Sequence, residues 1–187
     1  MAGHFFAMQL PKIIGLWSPA PGCGKSTVAG MICDATDVHC IVPFADPLKR
    51  MVAELLIAAG YAPSFAELYV REYKEEPLDL LPGRPTARYL LQTLGTQWGR
   101  QTVADDLWLR IWMLQARQHE FAIADDLRFP NEAEAVSEIG GELWCITRPG
   151  CVDTTGHESE RGLGDIAFDR VIVNDGTLED LRRAVVG

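Results

Sequence analysis

A short apolar run, Ile13–Trp17, leads straight into PAPGCGKST (residues 19–27), and an apolar-periodic stretch, residues 28–35, follows. Strand, glycine-rich turn and helix in that order leave few choices of fold. The turn directs backbone N–H groups inward and the helix N-terminus adds positive potential, so the segment makes a concave site for polyphosphate. Gly22, Cys23, Gly24, Lys25, Ser26 and Thr27 are its expected ATP-binding residues. Lys25 would reach the β- and γ-phosphates and the Ser26 hydroxyl would hold Mg²⁺. The full pattern G-x-x-x-x-G-K-[ST] fails at one place, where Pro19 stands for the first glycine.

The rest of the chain extends this start into an alternating pattern. Strands are expected at Ile13–Trp17 and residues 39–44, 121–124, 143–147 and 171–173, and helices at 25–35, from Pro47 onward, 65–73, 86–96, 105–118, 131–139 and Leu178–Val186. Asn131 is the expected cap of the helix it opens. Residues 74–85 and 148–165, rich in Pro, Gly and charge, read as loops. Alternation of this kind predicts an α/β fold with a parallel five-stranded sheet flanked by helices. With the glycine-rich turn, it reads as the P-loop NTPase fold. At 187 residues the chain suits one domain, 1–187, its core decorated by a helical insert over about 65–118 and a loop over about 148–165.

Composition removes several classes of function. A net charge of −9 argues against a nucleic-acid duplex as partner, because phosphate backbones need clustered Lys and Arg. No apolar run is long enough to span a bilayer. The start, MAGHFFAMQLPK, lacks a basic n-region and reads as a short leader into the first strand. The five cysteines, at 23, 33, 40, 145 and 151, are odd in number and form no C-x-x-C, so neither a disulfide framework nor a zinc site is expected. Cys23, at a helix N-terminus, is expected to be sensitive to alkylation if its thiol is accessible.

Ligands of such sheets bind outside the carboxyl ends of the strands, and the suggestive residues fall there. Lys49 in FADPLK could bind an acceptor phosphate or be a solvated lysine. Arg88, Gln92 and Thr96 recur every fourth residue in ARYLLQTLGTQWGR, which would put a guanidinium fork on one helix face. Arg100 could reach a transferred phosphoryl group or pair with Asp105 or Asp106. Trp108 could stack on a base or be core, whereas Trp112, one turn on, reads as core. Asp125 or Asp126, ending an apolar strand, could hold a Mg²⁺-bound water, and Asp125 joins Ser26 as the expected metal pair. Asp126, Arg128 and Glu132 read either as an acceptor site or as a structural ion cluster. Arg148, His157, Ser159 and Glu160 lie in the polar segment 148–165, a lid or a mobile loop. Asn174 to Thr177 could border adenine or cap the last helix.

The phosphate loop, FADPLK, LLQTLGT followed by LW, DDLRFPNEAE, ITRPG, HESE and NDGTLEDL, in this order, resemble the phage deoxynucleoside monophosphate kinases of the type known from T4-like phages. The resemblance runs from Ile13 to the C-terminus. It implies transfer of the ATP γ-phosphate to a dNMP by a core with a helical substrate-binding insert (about 65–118) and a lid (about 148–165). The phosphate loop adds Mg²⁺ as the expected cofactor, and the lack of a span or signal peptide adds a cytoplasmic location (the host's, for a phage-encoded enzyme). By the family's motifs Lys25, Arg128 and Arg100 would be catalytic, and Arg148 would contact ATP. Lys49, Arg88, Gly95, Thr96, Trp108, Asp126, Arg128 and Glu132 would contact the dNMP. The implied partners are the small molecules ATP and dNMP, with no duplex and no membrane. A homodimer is compatible with the sequence. Two other readings stand beside it. A P-loop kinase for another small acceptor, such as dephospho-coenzyme A, also fits NDGTLEDL, although DLRFPNE and LGT with LW favour the nucleotide. A nucleotide-dependent binding module would call for a partner domain or switch sequence, and none is evident.

Overall fold

The computed structural model describes residues 12–36, 41–151, 163 and 166–187. Four parallel strands, β1 (Ile13–Trp17), β2 (Ala122–Ala124), β3 (Glu142–Thr147) and β4 (Arg170–Val173), form a sheet in the order β2-β1-β3-β4. Helices α1 (Lys25–Thr36), α6 (Pro130–Glu138) and α7 (Leu178–Val186) flank it. Side chains alternate across β1. Ile14 and Leu16 join Val28, Ala29 and Ile32 of α1 and Leu181 and Val185 of α7 in one core cluster. A Cβ on the intervening Gly15 would meet Leu127, Leu143 and Val136 of the opposite face, the nearest at 2.8 Å. Central strands are therefore apolar on both sides, as parallel sheets require. β4 is an edge, with Ile172 buried while Val171 and Val173 are exposed.

The expected fifth strand, 39–44, is not a named strand among the described residues. It is reduced to an isolated parallel bridge from Ile41 to Ile123, supported by the Val42 N–H on the Ile123 carbonyl at 2.8 Å. Residues 37–40 lie outside the described set. Trp112 of α5 (Leu107–Ala116) holds the segment in place: its indole N–H donates to the Val42 carbonyl at 2.8 Å and its ring is fully buried.

The chain divides into two compact units. One holds the sheet, with the residues up to 43 and from 112 on; the other is Phe44–Ile111. In the second, α2 (Asp46–Ala58), α3 (Pro63–Arg71) and α4 (Ala87–Gln92) enclose Val52, Leu56, Ala66, Val70, Leu78 and Ala87. α3 begins two residues before the expected 65, at a proline suited to the first turn. The segment 74–85 is a loop, but an antiparallel bridge from Pro77 to Thr86 folds Leu78 inward. The single α-helix expected over 86–96 is two structures. α4 starts on a Thr86 cap, and from Thr93 to Val103 the chain winds as a π-helix.

Candidate functional site

In the sheet unit, β1 ends where neighbouring connections leave to opposite sides, since β2 lies on one flank and β3 on the other. Such a switch point leaves a crevice. The loop following β1 is built on two glycines, Gly22 at φ +83° and Gly24 at φ +112°, conformations that favour glycine and allow successive N–H groups to form an anion-binding concavity. Val28 donates its N–H to the Gly24 carbonyl at 2.9 Å, so α1 starts on the loop itself. Buried Ser18, which no sequence motif singles out, closes the loop from below. Its hydroxyl donates to the Ala20 carbonyl at 2.8 Å and accepts from the Lys25 ammonium at 2.5 Å. The loop thus closes with Pro19 in the glycine's place.

Ser26 donates its hydroxyl to Asp125 Oδ2 at 3.4 Å, across 99 residues of sequence. The two expected metal-binding residues are therefore neighbours. A hydroxyl and a carboxylate are hard oxygen donors of the kind Mg²⁺ takes. Asp126 and Arg128 follow on the same connection, Asp126 half-buried and Arg128 exposed. Glu132 serves the backbone here. It is 3% exposed, and its Oε2 accepts the backbone N–H groups of Arg128 at 2.9 Å and Phe129 at 3.1 Å. It is thus the capping side chain of α6, a role assigned from sequence to Asn131. Pro130 takes the first helical position, so the cap falls one residue earlier, on Phe129, which has no polar side chain to serve. Glu132→Ala is expected to cost about 2 kcal/mol, since two N–H groups lose a buried carboxylate. That corresponds to roughly 4–8 °C in Tm. Thermal unfolding checks this; unchanged stability with lost dNMP binding would return Glu132 to the substrate.

Cys23 is buried at 1% exposure, so the accessibility on which alkylation sensitivity depends is not met. Cys151 approaches the Pro21 carbonyl at 3.9 Å, and its hydrogen bond with Cys23 pushes its own thiol up in pKa. Burial pushes the Cys145 thiol up as well. Such thiols stay protonated and are poor nucleophiles. Arg148 follows β3 and is exposed, in a turn closed by the Cys151 N–H on its carbonyl at 3.1 Å. His157, Ser159, Glu160 and most of the expected lid lie outside the described residues.

The remaining expected residues belong to the unit 44–111. Lys49 stands in the first turn of α2, half-buried. Arg88 pairs with Glu75, and its N–H donates to the Lys74 carbonyl at 2.9 Å. The register that placed Thr96 on the face of Arg88 and Gln92 presumes α-winding, and the π-helix from Thr93 changes it. Arg100 donates to the backbone carbonyl of Asp105 at 3.5 Å. Trp108 is core in this structure: it is 3% exposed, and its indole N–H donates to the Gly95 carbonyl at 2.8 Å. A Cβ on Gly99 would lie 2.3 Å from that indole nitrogen. Gly99 thus makes room for the ring, and Gly95 supplies the carbonyl that its N–H meets. Trp108 is accordingly not presented to a base here.

The matching family model and three matching relatives carry the same description. A family model described as Deoxynucleotide monophosphate kinase matches residues 83–185. A protein of Acanthamoeba polyphaga mimivirus, provisionally named a deoxynucleotide monophosphate kinase, is 33% identical over 93% of this chain and 94% of its own length. The deoxynucleotide monophosphate kinase of Escherichia phage RB69 is 26% identical over 67% of this chain. That of Enterobacteria phage T4 is 30% identical over 51% of it. The matches take in 52% and 42% of the two phage enzymes.

Proposed function

The chain belongs to the deoxynucleotide monophosphate kinase family, and on that premise we propose that it transfers the γ-phosphate of ATP to a deoxynucleoside monophosphate, giving dNDP and ADP. The observation that supports the donor half is the placing of Lys25, Ser26 and Asp125 around one loop at the carboxyl end of the parallel sheet. Phosphoryl transfer asks the protein for positioning and charge neutralisation more than for covalent chemistry. Lys25 is tethered to Ser18 and would exchange that bond for one to a β- or γ-phosphate oxygen. Ser26 and Asp125 would hold Mg²⁺, which would neutralise phosphate charge.

The acceptor half rests on the family. Asp126 and Arg128 after β2, and Lys49, Arg88, Gly95, Thr96 and Arg100 in the unit 44–111, are the proposed dNMP contacts. Arg88 would exchange Glu75 for a phosphate, a bidentate acceptor of the same charge sign. Glu132, also expected at the dNMP, keeps the Arg128 backbone in place by its cap. Small molecules are the proposed partners.

The test is a coupled ADP-release assay with Mg-ATP and each dNMP, common and hydroxymethylated, with the products resolved as diphosphates. At least one dNMP is expected to be converted to its dNDP. ADP release without any dNDP would replace the kinase reading by nucleotide hydrolysis.

A further inference from the structure

Asn174, directly after β4, touches the loop that follows β1. Its side-chain amide donates to the Cys23 carbonyl at 2.9 Å. The amide orientation follows from the partner, because a carbonyl only accepts. The residue is itself anchored, with its backbone N–H donating to the Thr147 carbonyl at 2.7 Å, at the end of β3. Close approach is built in: a Cβ on Gly24 would stand 2.7 Å from the Asn174 amide nitrogen. Gly24, at φ +112°, leaves this contact open where another residue would block it.

The peptide joining Cys23 to Gly24 is planar and trans, so its C=O and N–H point in opposite directions. Fixing the Cys23 carbonyl on Asn174 therefore turns the Gly24 N–H to the other side of the loop, away from β4. Glycine-flanked peptides rotate at little steric cost. The reverse orientation would aim a carbonyl oxygen where a donor is needed for phosphate. We propose that Asn174 is a positioning residue that holds the Cys23–Gly24 peptide in its anion-binding orientation, so that the Gly24 N–H is presented to the polyphosphate of the nucleotide. The role rests on reading this loop as the triphosphate site. It differs from a contact with adenine, which the position of Asn174 would equally allow.

Inorganic tripolyphosphate with Mg²⁺ separates the two, since it carries the phosphates without the base. Asn174→Ala removes the donor, and the isosteric Asn174→Asp keeps the shape but cannot donate. Both are expected to weaken Mg-tripolyphosphate and Mg-ATP by the same factor, roughly tenfold for Ala and more for Asp, whose charge repels phosphate. The KM for dNMP should stay near wild type, as should the Tm. Weaker ATP binding with unchanged tripolyphosphate binding would assign Asn174 to adenine and overturn the proposal. Affinities within twofold of wild type would also overturn it. So would parallel loss for ATP and dNMP with a lowered Tm, which marks a structural role. Wild-type protein that binds no Mg-tripolyphosphate would overturn the loop reading and this inference together. Wild-type protein that binds it yet forms no dNDP would overturn the kinase reading alone.

Discussion

Replacing Lys25 by alanine is expected to lower kcat for dNDP formation about a thousandfold, the scale on which removal of a transition-state charge partner acts. The ammonium lies inside the loop on Ser18, so its position is set before nucleotide arrives. The cost to folding should be small, because Lys25 is half-exposed at the start of α1, and alanine is the best helix former. Steady-state kinetics beside a melting curve measures both. Near-wild-type turnover in a folded variant would show that the loop after β1 is not where the transferring phosphate sits. A proportional fall in Tm and kcat would instead make Lys25 a structural residue.

Trp112→Ala should produce the largest loss of stability, about 3–5 kcal/mol from the vacated volume of a fully buried indole. The Val42 carbonyl also loses its donor, while the Val42 N–H remains on Ile123. At roughly 2–4 °C per kcal/mol the Tm should fall by about 6–20 °C. Trp112→Phe keeps most of the ring and forfeits the hydrogen bond, so it should cost less, roughly 1–2 kcal/mol. Denaturant titration of the two variants separates packing from hydrogen bonding. Equal losses would mean that the N–H, rather than the ring, carries the effect.

The contrast between the two tryptophans of α5 shows how far sequence reasoning reaches. Trp112 was legible as core because it continues an apolar helical period. Trp108, four residues earlier, reads as either core or base-stacking from its residues alone, and the resemblance points to the dNMP. Gly99 decides it in this structure, because only a residue without a side chain leaves room for the indole, whose N–H reaches the Gly95 carbonyl. A glycine in the sequence does not say which ring approaches it. The π-helix is illegible too, because no local propensity encodes its winding.

Local chemistry was sufficient for the parts of the molecule that depend on neighbouring residues. Strands β1, β2, β3 and β4 and helices α1 and α7 follow from apolar runs bounded by turn residues, and the loop of residues 19–27 follows from its own glycines. The nearness of Asp125 to the loop that carries Ser26 was legible because β1 and β2 had to run parallel, which puts the segments after them at one end of the sheet. Tertiary structure alone decided the contacts made by side chains with two plausible partners. Glu132 turned to the N–H groups of Arg128 and Phe129 because burial makes an uncapped helix end costly. Arg88 went to Glu75, which a loop of thirteen residues brought within reach. Asn174, a turn residue in sequence, became part of the loop after β1 because β4 ends beside it, 151 residues away. A carboxylate, a guanidinium or an amide carries its chemistry in the sequence, but its partner is set by which chain segments the fold brings within hydrogen-bond distance.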